Sequence, residues 1–316
     1  LRQPTSLTAL LHLGPYTSRM PPRVSVVASG DDEAMLVSLR QQKSALLPRL
    51  ATSFSLGQLP IQMLQIHLSG LAHRIVARAF DVSHRRVVER YGLVPGCRFA
   101  VLAFGSLGAR EMGFFSDLDL LFVYDGVGHS DGTRSLPVET WAAKLGQQLI
   151  WALGAPLEGG KCYDVDTRLR PSGNQGPLCV RMEAFRRYHR HDAQLWERQA
   201  LLRLCPIVGN LCSDVMAAVC ETLDTAASPG LGSELLDMRH RMVQERTRTS
   251  GFDIKLGEGG TVDVEFAIQG LQLRHNVHGR RRWSMSTRQA IRALRKQGHL
   301  RGSDADRLHD GWTQLL

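Results

Sequence analysis

The fold of this chain is decided by residues 99–119, which read FAVLAF (99–104), GSLGAREMGFFS (105–116) and DLD (117–119). The first part is a run of apolar residues, and a second apolar run follows the aspartates as far as Tyr124. Short apolar runs bounded by turn-forming residues are typical of buried β-strands. The stretch therefore predicts two strands, with the glycine-rich segment as the connection between them.

The two aspartates of the DLD segment are candidate metal ligands. Alternate side chains of a strand share a face, so Asp117 and Asp119 lie on one side, roughly 7 Å apart, while Leu118 enters the core. Neighbouring carboxylates repel unless a cation lies between them, and Mg²⁺ is commonly held by one or two carboxylates together with substrate phosphates. A solvated strand end is the alternative interpretation of this pattern alone.

The residues that follow the first strand are suited to phosphate. Gly105 lets the backbone approach a phosphate closely, and Ser106 offers a hydroxyl and an N–H donor where the strand ends. This pairing of Gly-Ser with Asp-x-Asp favours a nucleotide site over a solvated strand end.

A third strand, predicted over residues 162–169, supplies further candidates. Its alternation places two aspartates and two arginines on one face, where a third carboxylate would complete a two-metal site and the arginines would meet phosphate oxygens. These residues are Asp164, Asp166, Arg168 and Arg170. The spacing does not decide which aspartate faces the metals, and an Asp–Arg ion pair on an exposed strand is the alternative.

Composition sets outer limits on the class of protein. The 316 residues are 43% apolar and 22% charged, which excludes a disordered or collagenous chain and suggests roughly two domains at about 150 residues each. No apolar run reaches the roughly 20 residues of a membrane span, so no membrane partner is predicted. The six cysteines form no Cys-x-x-Cys pair, which predicts reduced thiols and a cytoplasmic location.

The charge balance allows an anionic partner but does not identify one. Lys and Arg number 39 against 30 Asp and Glu, giving a net charge of +9. The surplus is scattered and few aromatic residues interleave with it, so no nucleic-acid partner is predicted. A polynucleotide-directed transferase is kept as a remote alternative.

Further motifs give the chain a family resemblance. Residues 105–113 (GSLGAREMG) with 116–120 (SDLDL), residues 165–173 (VDTRLRPSG) and residues 196–201 (WERQAL) resemble the glutamine synthetase adenylyltransferase family, as do 252–255 (FDIK) and 259–266 (GGTVDVEF). The resemblance covers about residues 31–316. Members of that family carry two nucleotidyltransferase halves of the DNA polymerase beta superfamily, whose general set is Gly-Ser, Asp-x-Asp and a later strand Asp.

The resemblance implies an α+β fold: a polymerase-beta-like nucleotidyltransferase domain with a small mixed sheet, flanked by N-terminal helices and followed by a C-terminal helical bundle. It divides the chain into a poorly structured lead or linker (1–30), a helical N-terminal part of the catalytic domain (31–96), the catalytic core (97–208), and a helical domain truncated at its C-terminus (209–316).

The resemblance also implies a reaction, the transfer of AMP from ATP to a tyrosine of glutamine synthetase with release of pyrophosphate. Two Mg²⁺ ions, with Mn²⁺ as the alternative, are expected on the carboxylates, and ATP phosphates on the glycine, serine and arginines. The implied metal and catalytic residues are Asp117, Asp119 and Asp166, and the implied nucleotide-binding residues are Gly105, Ser106, Arg168 and Arg170.

Gly-Ser followed at this spacing by Asp-x-Asp occurs once, at residues 105–119, so the chain corresponds to one half of such a protein. The PSG after the arginines, the WERQA run and Gly113 resemble the C-terminal, adenylylating half. Ala109, where the family usually has a second glycine, and the KLG at 255–257 depart from it. Phosphorolytic removal of AMP, giving ADP, is therefore the alternative activity.

The resemblance further implies regulators, namely glutamine and a PII-type signalling protein. A catalytically silent regulatory module is a fourth interpretation, which the intact aspartates disfavour.

Overall fold

The computed structural model describes residues 31–225, 230–246, 253–279 and 285–316, and of residues 245 and 246 the backbone alone. The predicted lead at 1–30 lies outside the described residues. The described chain forms two compact units, one of residues 31–182 with 207–212 and one of residues 183–206 with those from 213 onward. No described helix is long and apolar enough to cross a membrane.

Two long helices open the first unit. Helix α1 (Asp32–Ser55) begins where the carboxylate of Asp31 accepts a hydrogen bond from the Glu33 N–H at 2.9 Å. Helix α2 (Ile61–Tyr91) buries an apolar stripe along one face and ends at Gly92, whose φ of 79° few other residues adopt.

A small mixed sheet lies beside these helices. Strand β1 (Arg98–Ala103) pairs antiparallel with β2 (Leu118–Asp125), and the connection between them contains one short helix, α3 (Gly105–Gly108). Along the other edge of β2 run two short parallel strands, β3 (Val165–Asp166) at its start and β4 (Cys179–Arg181) further on. Strand β5 (Cys205–Val208), which the sequence analysis missed, lies on the far side of β1.

Helix α4 (Val138–Gly154) covers the sheet at very close range. Its Gly146 faces β2 and β4, where an added Cβ would lie 2.8 Å from the Cys179 sulfur and 3.1 Å from the Phe122 ring. Phe122 itself is fully buried. The core of this unit therefore lies between the helices and the sheet. The candidate site lies at the end of the sheet where β2 begins.

The predicted third strand over residues 162–169 is wrong in length, because only Val165 and Asp166 pair with β2. The chain then turns: the Arg170 guanidinium donates to the carbonyl oxygen of Thr167 at 2.7 Å and to its hydroxyl at 2.9 Å. Arg168 and Arg170 lie in this turn, so the prediction that they share a strand face with Asp166 is also wrong.

The second unit is helical. Its described helices are α5 (Met182–His191), α6 (Leu195–Leu201), α7 (Cys212–Asp224), α8 (Leu231–Arg246), α9 (Thr261–His275), α10 (Thr287–Lys296) and α11 (Gly302–Leu315).

The division of the chain falls after Met182, whereas the sequence analysis put it after residue 208. Helix α6 packs on α8 and α9 of the second unit. Gln199 of α6 donates to Gln269 at 2.7 Å, and Arg203 just beyond α6 pairs with Glu265 at 3.2 Å. These buried and half-buried polar contacts tie residues 195–203 to the C-terminal helices.

Candidate active site

The turn after β1 brings backbone against a carboxylate. Gly105 has a φ of +58°, and a Cβ built on it would lie 2.2 Å from Oδ2 of Asp119. The Phe104 N–H meanwhile donates to the carbonyl oxygen of Asp119 at 2.8 Å. Only glycine satisfies both the backbone conformation and the contact, so this residue sets the position of the Asp119 side chain.

The Asp-x-Asp segment stands where β2 begins. Leu118 is fully buried and its N–H donates to the Asp164 carbonyl oxygen at 2.9 Å, which ties the start of β2 to the segment before β3. Asp117 precedes the strand and is exposed, while Asp119 is half-buried. Alternation around a buried leucine thus leaves both carboxylates outside the core, as the sequence predicts.

Asp166 lies beside Asp119. Parallel pairing of β2 and β3 sets Leu118 opposite Val165 and Asp119 opposite Asp166. Because adjacent strands lie about 4.8 Å apart and register partners face the same side, the two carboxylates project together. Asp164 is 60% exposed and pairs with Lys161 at 2.7 Å. Of the two candidates that spacing left open, Asp166 is the one in register with Asp119.

Arg168 holds the Asp166 carboxylate. Its Nε donates to Oδ1 at 3.0 Å and to Oδ2 at 2.8 Å, and its Nη2 donates to Oδ2 at 2.5 Å. Its backbone N–H also donates to Oδ1, at 2.8 Å. These hydrogen bonds hold the pKa of Asp166 below its usual value, against the opposing effect of burial. Asp166 is therefore a carboxylate at neutral pH.

Arg170 has a different setting. It is only 9% exposed, and besides Thr167 it contacts the Gly176 carbonyl oxygen at 3.4 Å. These bonds fix the turn after β3. Arg168, by contrast, is 72% exposed at its side chain. The two arginines that one alternation pattern grouped together thus have separate surroundings.

The donor set fits a hard divalent cation, and its assembly is incomplete. Carboxylate oxygens are the ligands that Mg²⁺ takes, and the close approach of Gly105 to Asp119 leaves backbone rather than a side chain beside the carboxylate. Within the described ranges no three His, Cys, Asp or Glu side chains are already grouped to hold a metal ion. Asp119 and Asp166 are neighbours, and Asp166 is engaged by Arg168.

The amino-acid sequence matches the model of a known protein family. The family model described as glutamate-ammonia ligase adenylyltransferase matches residues 3–217, more than half of the chain. The chain belongs to the glutamate-ammonia ligase adenylyltransferase family. This membership confirms the family resemblance that the longer sequence motifs, such as residues 105–113 and 165–173, carry.

Relatives within the family carry one name, bifunctional glutamine synthetase adenylyltransferase/adenylyl-removing enzyme. One from Xanthomonas campestris pv. campestris is 39% identical over 255 residues, covering 78% of this chain and 27% of the relative. One from Stenotrophomonas maltophilia is 36% identical over 300 residues, covering 92% and 32%. One from Haemophilus ducreyi is 34% identical over 282 residues, covering 85% and 30%.

The chain spans about a third or less of the length of these curated relatives. A second family model, described as GlnD PII-uridylyltransferase, matches residues 234–316. The adenylyltransferase family model thus covers the strands with the candidate site, and the second covers the C-terminal helices.

Two serines that position the site in this family member were missed by the sequence analysis. The Ser116 hydroxyl accepts a hydrogen bond from the Gly113 N–H at 2.9 Å and so closes the turn before Asp117. The buried Ser69 of α2 accepts from the Met112 N–H at 3.3 Å, anchoring the connection to the helix. A serine before an aspartate is a turn signal that could have found Ser116, whereas Ser69 sits in an unremarkable helical pattern.

Proposed function

We propose that this chain transfers AMP from ATP to a tyrosine of glutamine synthetase, releasing pyrophosphate. The observation that carries the proposal is the register of Asp119 against Asp166, with Asp117 two residues earlier and the Gly105 turn against Asp119. Family membership supports it, since the relatives are named for this activity and for its reversal.

In the proposed reaction Asp117, Asp119 and Asp166 hold Mg²⁺, or Mn²⁺ in its place. The bound cations would neutralise the triphosphate and lower the pKa of the tyrosine hydroxyl, which is about 10 when unperturbed. Gly105 and Ser106 present backbone and a hydroxyl to the terminal phosphates.

The chain's own carboxylates and guanidinium do the rest of the positioning. Asp166, a carboxylate at neutral pH, would accept the tyrosine proton as the phenol oxygen bonds to the α-phosphorus. The bond from that phosphorus to the bridging oxygen breaks, and pyrophosphate leaves. Because fixed charges and orientation supply most of the rate in such transfers, small displacements of these residues are costly.

The test is transfer of label from α-labelled ATP to purified glutamine synthetase with Mg²⁺. We expect the wild-type chain to label the synthetase and Asp119→Asn to lower the rate at least about 10³-fold, since the change removes one carboxylate charge from the proposed metal site and leaves the backbone pairing of β2 intact. Asp164→Asn, which changes a nearby exposed carboxylate, serves as the matched control and should retain activity. Equal activity in Asp119→Asn and Asp164→Asn would contradict the proposal.

Removal of AMP by phosphorolysis is the second candidate, because the relatives' name includes an adenylyl-removing activity and the chain spans only part of them. It is distinguished by supplying phosphate and adenylylated synthetase without ATP. Release of ADP under those conditions, with no labelling from ATP, assigns this chain the removing activity in place of transfer.

Regulation and location belong to the same proposal. We infer that a PII-type protein and glutamine control this activity, and the match of the GlnD PII-uridylyltransferase family model to residues 234–316 supports the PII-type regulator. We also propose a cytoplasmic enzyme with no nucleic-acid partner. Salt-dependent binding to RNA, measured by fluorescence anisotropy, would speak for the polynucleotide alternative instead.

A further inference from the structure

The ion pair between Arg168 and Asp166 uses the same oxygens that a metal would need. Both carboxylate oxygens accept from the guanidinium, and Oδ1 accepts from the Arg168 backbone N–H as well. A carboxylate so engaged has few lone pairs left for a cation. A divalent ion at Asp166 must therefore compete with the guanidinium.

The ion pair between Arg168 and Asp166 can separate at little cost in free energy. The Arg168 side chain is 72% exposed, and within the described ranges its hydrogen bonds and ion pairs all go to Asp166. Exposed ion pairs contribute little net free energy because water solvates the separated charges well. Arg170, two residues on, is buried and bonded to the Thr167 and Gly176 carbonyl oxygens. Arg168 can thus leave the carboxylate without unmaking the turn.

The guanidinium also lies in the field of the neighbouring carboxylate. Asp119 is the register partner of Asp166. The positively charged guanidinium of Arg168 therefore lies near two carboxylates, those of Asp166 and Asp119. A divalent metal ion bound at this site would have the same two negative neighbours.

We propose that Arg168 and a divalent cation are alternative partners of Asp166, so that Arg168 is a positioning residue that sets the metal affinity of the site. When the cation takes Asp166, the guanidinium is released on the side where the nucleotide phosphates are expected. This inference rests on the proposed function for the identity of the cation and for the role of Asp166.

The test measures binding of Mn²⁺ alone to the full 316-residue chain, by the loss of the free-ion electron paramagnetic resonance signal at 0.15 M salt. We expect Arg168→Gln to tighten Mn²⁺ binding roughly two- to fivefold, the range equivalent to an exposed ion pair. Arg168→Lys should fall between this variant and the wild type, since it keeps a charge but loses the two-oxygen contact.

Lys161→Gln is the matched control, because it removes one positive charge from another exposed pair, that with Asp164. Its Mn²⁺ affinity should stay within twofold of wild type, since salt screens charges that do not touch the site. If Arg168→Gln gains no more affinity for Mn²⁺ than Lys161→Gln does, the proposed exchange of Arg168 for a divalent cation at Asp166 is overturned.

A second pair of variants separates this inference from the proposed function. Adding Asp166→Asn to Arg168→Gln should abolish the gain in affinity, and a gain that survives would overturn the exchange. Failure of wild type and Arg168→Gln alike to bind Mn²⁺ overturns the metal site of the proposed function and the exchange with it. Equal binding in both leaves that metal site standing and overturns the exchange alone.

Discussion

At the scale of single residues, Gly105 is the position where a one-carbon change should be most damaging. Gly105→Ala adds a Cβ 2.2 Å from Oδ2 of Asp119 and places an L-residue at a φ of +58°. We expect a loss of about 1–3 kcal/mol in the free energy of unfolding from backbone strain. Displacement of the Asp119 carboxylate should lower the rate of AMP transfer a further ~10²-fold.

Gly96→Ala is the control for this prediction. Gly96 has a similar φ of +72°, but a Cβ there meets nothing within 4 Å. It should lose stability to a similar extent and keep its rate of transfer, as measured by urea unfolding and the labelling assay. If Gly105→Ala transfers AMP as fast as Gly96→Ala, then the contact with Asp119 does not position the carboxylate.

At this scale, the alternation of apolar and polar residues predicts which side chains of one strand share a face. It does not predict which residues of two different strands lie opposite each other. It identified Asp117 and Asp119 as a pair flanking buried Leu118, and the structure agrees. It did not choose between Asp164 and Asp166, because that choice depends on which residue of β3 lies opposite Asp119. Register between strands is set by hydrogen bonds to a partner distant in sequence, here the Leu118 N–H to the Asp164 carbonyl oxygen.

At the scale of elements, helix α4 should be intolerant of a methyl group where it meets the sheet. Gly146→Ala raises intrinsic helix propensity by up to about 1 kcal/mol, yet its Cβ would lie 2.8 Å from the Cys179 sulfur and 3.1 Å from Phe122. Overpacking of a filled core costs typically 1–3 kcal/mol. We expect the clash to win and the melting temperature to fall.

Gly311→Ala in α11 isolates the propensity, since a Cβ there meets nothing within 4 Å. This variant should be more stable by roughly 0.5–1 kcal/mol. Thermal melts followed by circular dichroism at 222 nm compare the two. A rise in melting temperature for Gly146→Ala equal to that for Gly311→Ala would mean that α4 and the sheet can separate freely.

The elements themselves were predictable to unequal degrees, for a physical reason. Helices α1 and α2 follow from apolar residues at helical spacing, which is a local signal. The third strand was predicted over residues 162–169 but pairs at two residues only, because the edge of β2 is shared with β4. Competition for one strand edge is a tertiary property, and no local pattern encodes it.

At the scale of the whole molecule, the boundary between the two compact units follows long-range polar contacts. It does not follow a change in the spacing of apolar residues along the sequence. Gln199 and Arg203 find partners on α9, so residues from 183 to 206 join the C-terminal helices. From the sequence these residues read as a continuation of the catalytic core. Their partners lie more than 60 residues away, which is why the boundary expected from the sequence fell later, after residue 208.

The second of the two units should also be the acid-sensitive one, because of His189. This side chain is 4% exposed, its ring lies 4.4 Å from that of Phe185, and among the described residues neither ring nitrogen has a hydrogen-bond partner. Burial, and secondarily the charge of Arg198, lowers its pKa to about 4. The unfolded chain, with a histidine pKa near 6.5, takes up that proton first.

Stability should therefore be full above about pH 6.5 and should fall as the pH drops from there towards 4, with about 2 kcal/mol lost by pH 5. Urea unfolding at pH 7 and pH 5 measures this. His189→Phe, which keeps an aromatic ring without a titrating group, should remove most of that loss. His191→Phe, an exposed position on the same helix α5, should lose as much as the wild type. A His189→Phe chain that loses the same free energy between the two pH values would show that another group carries the acid sensitivity.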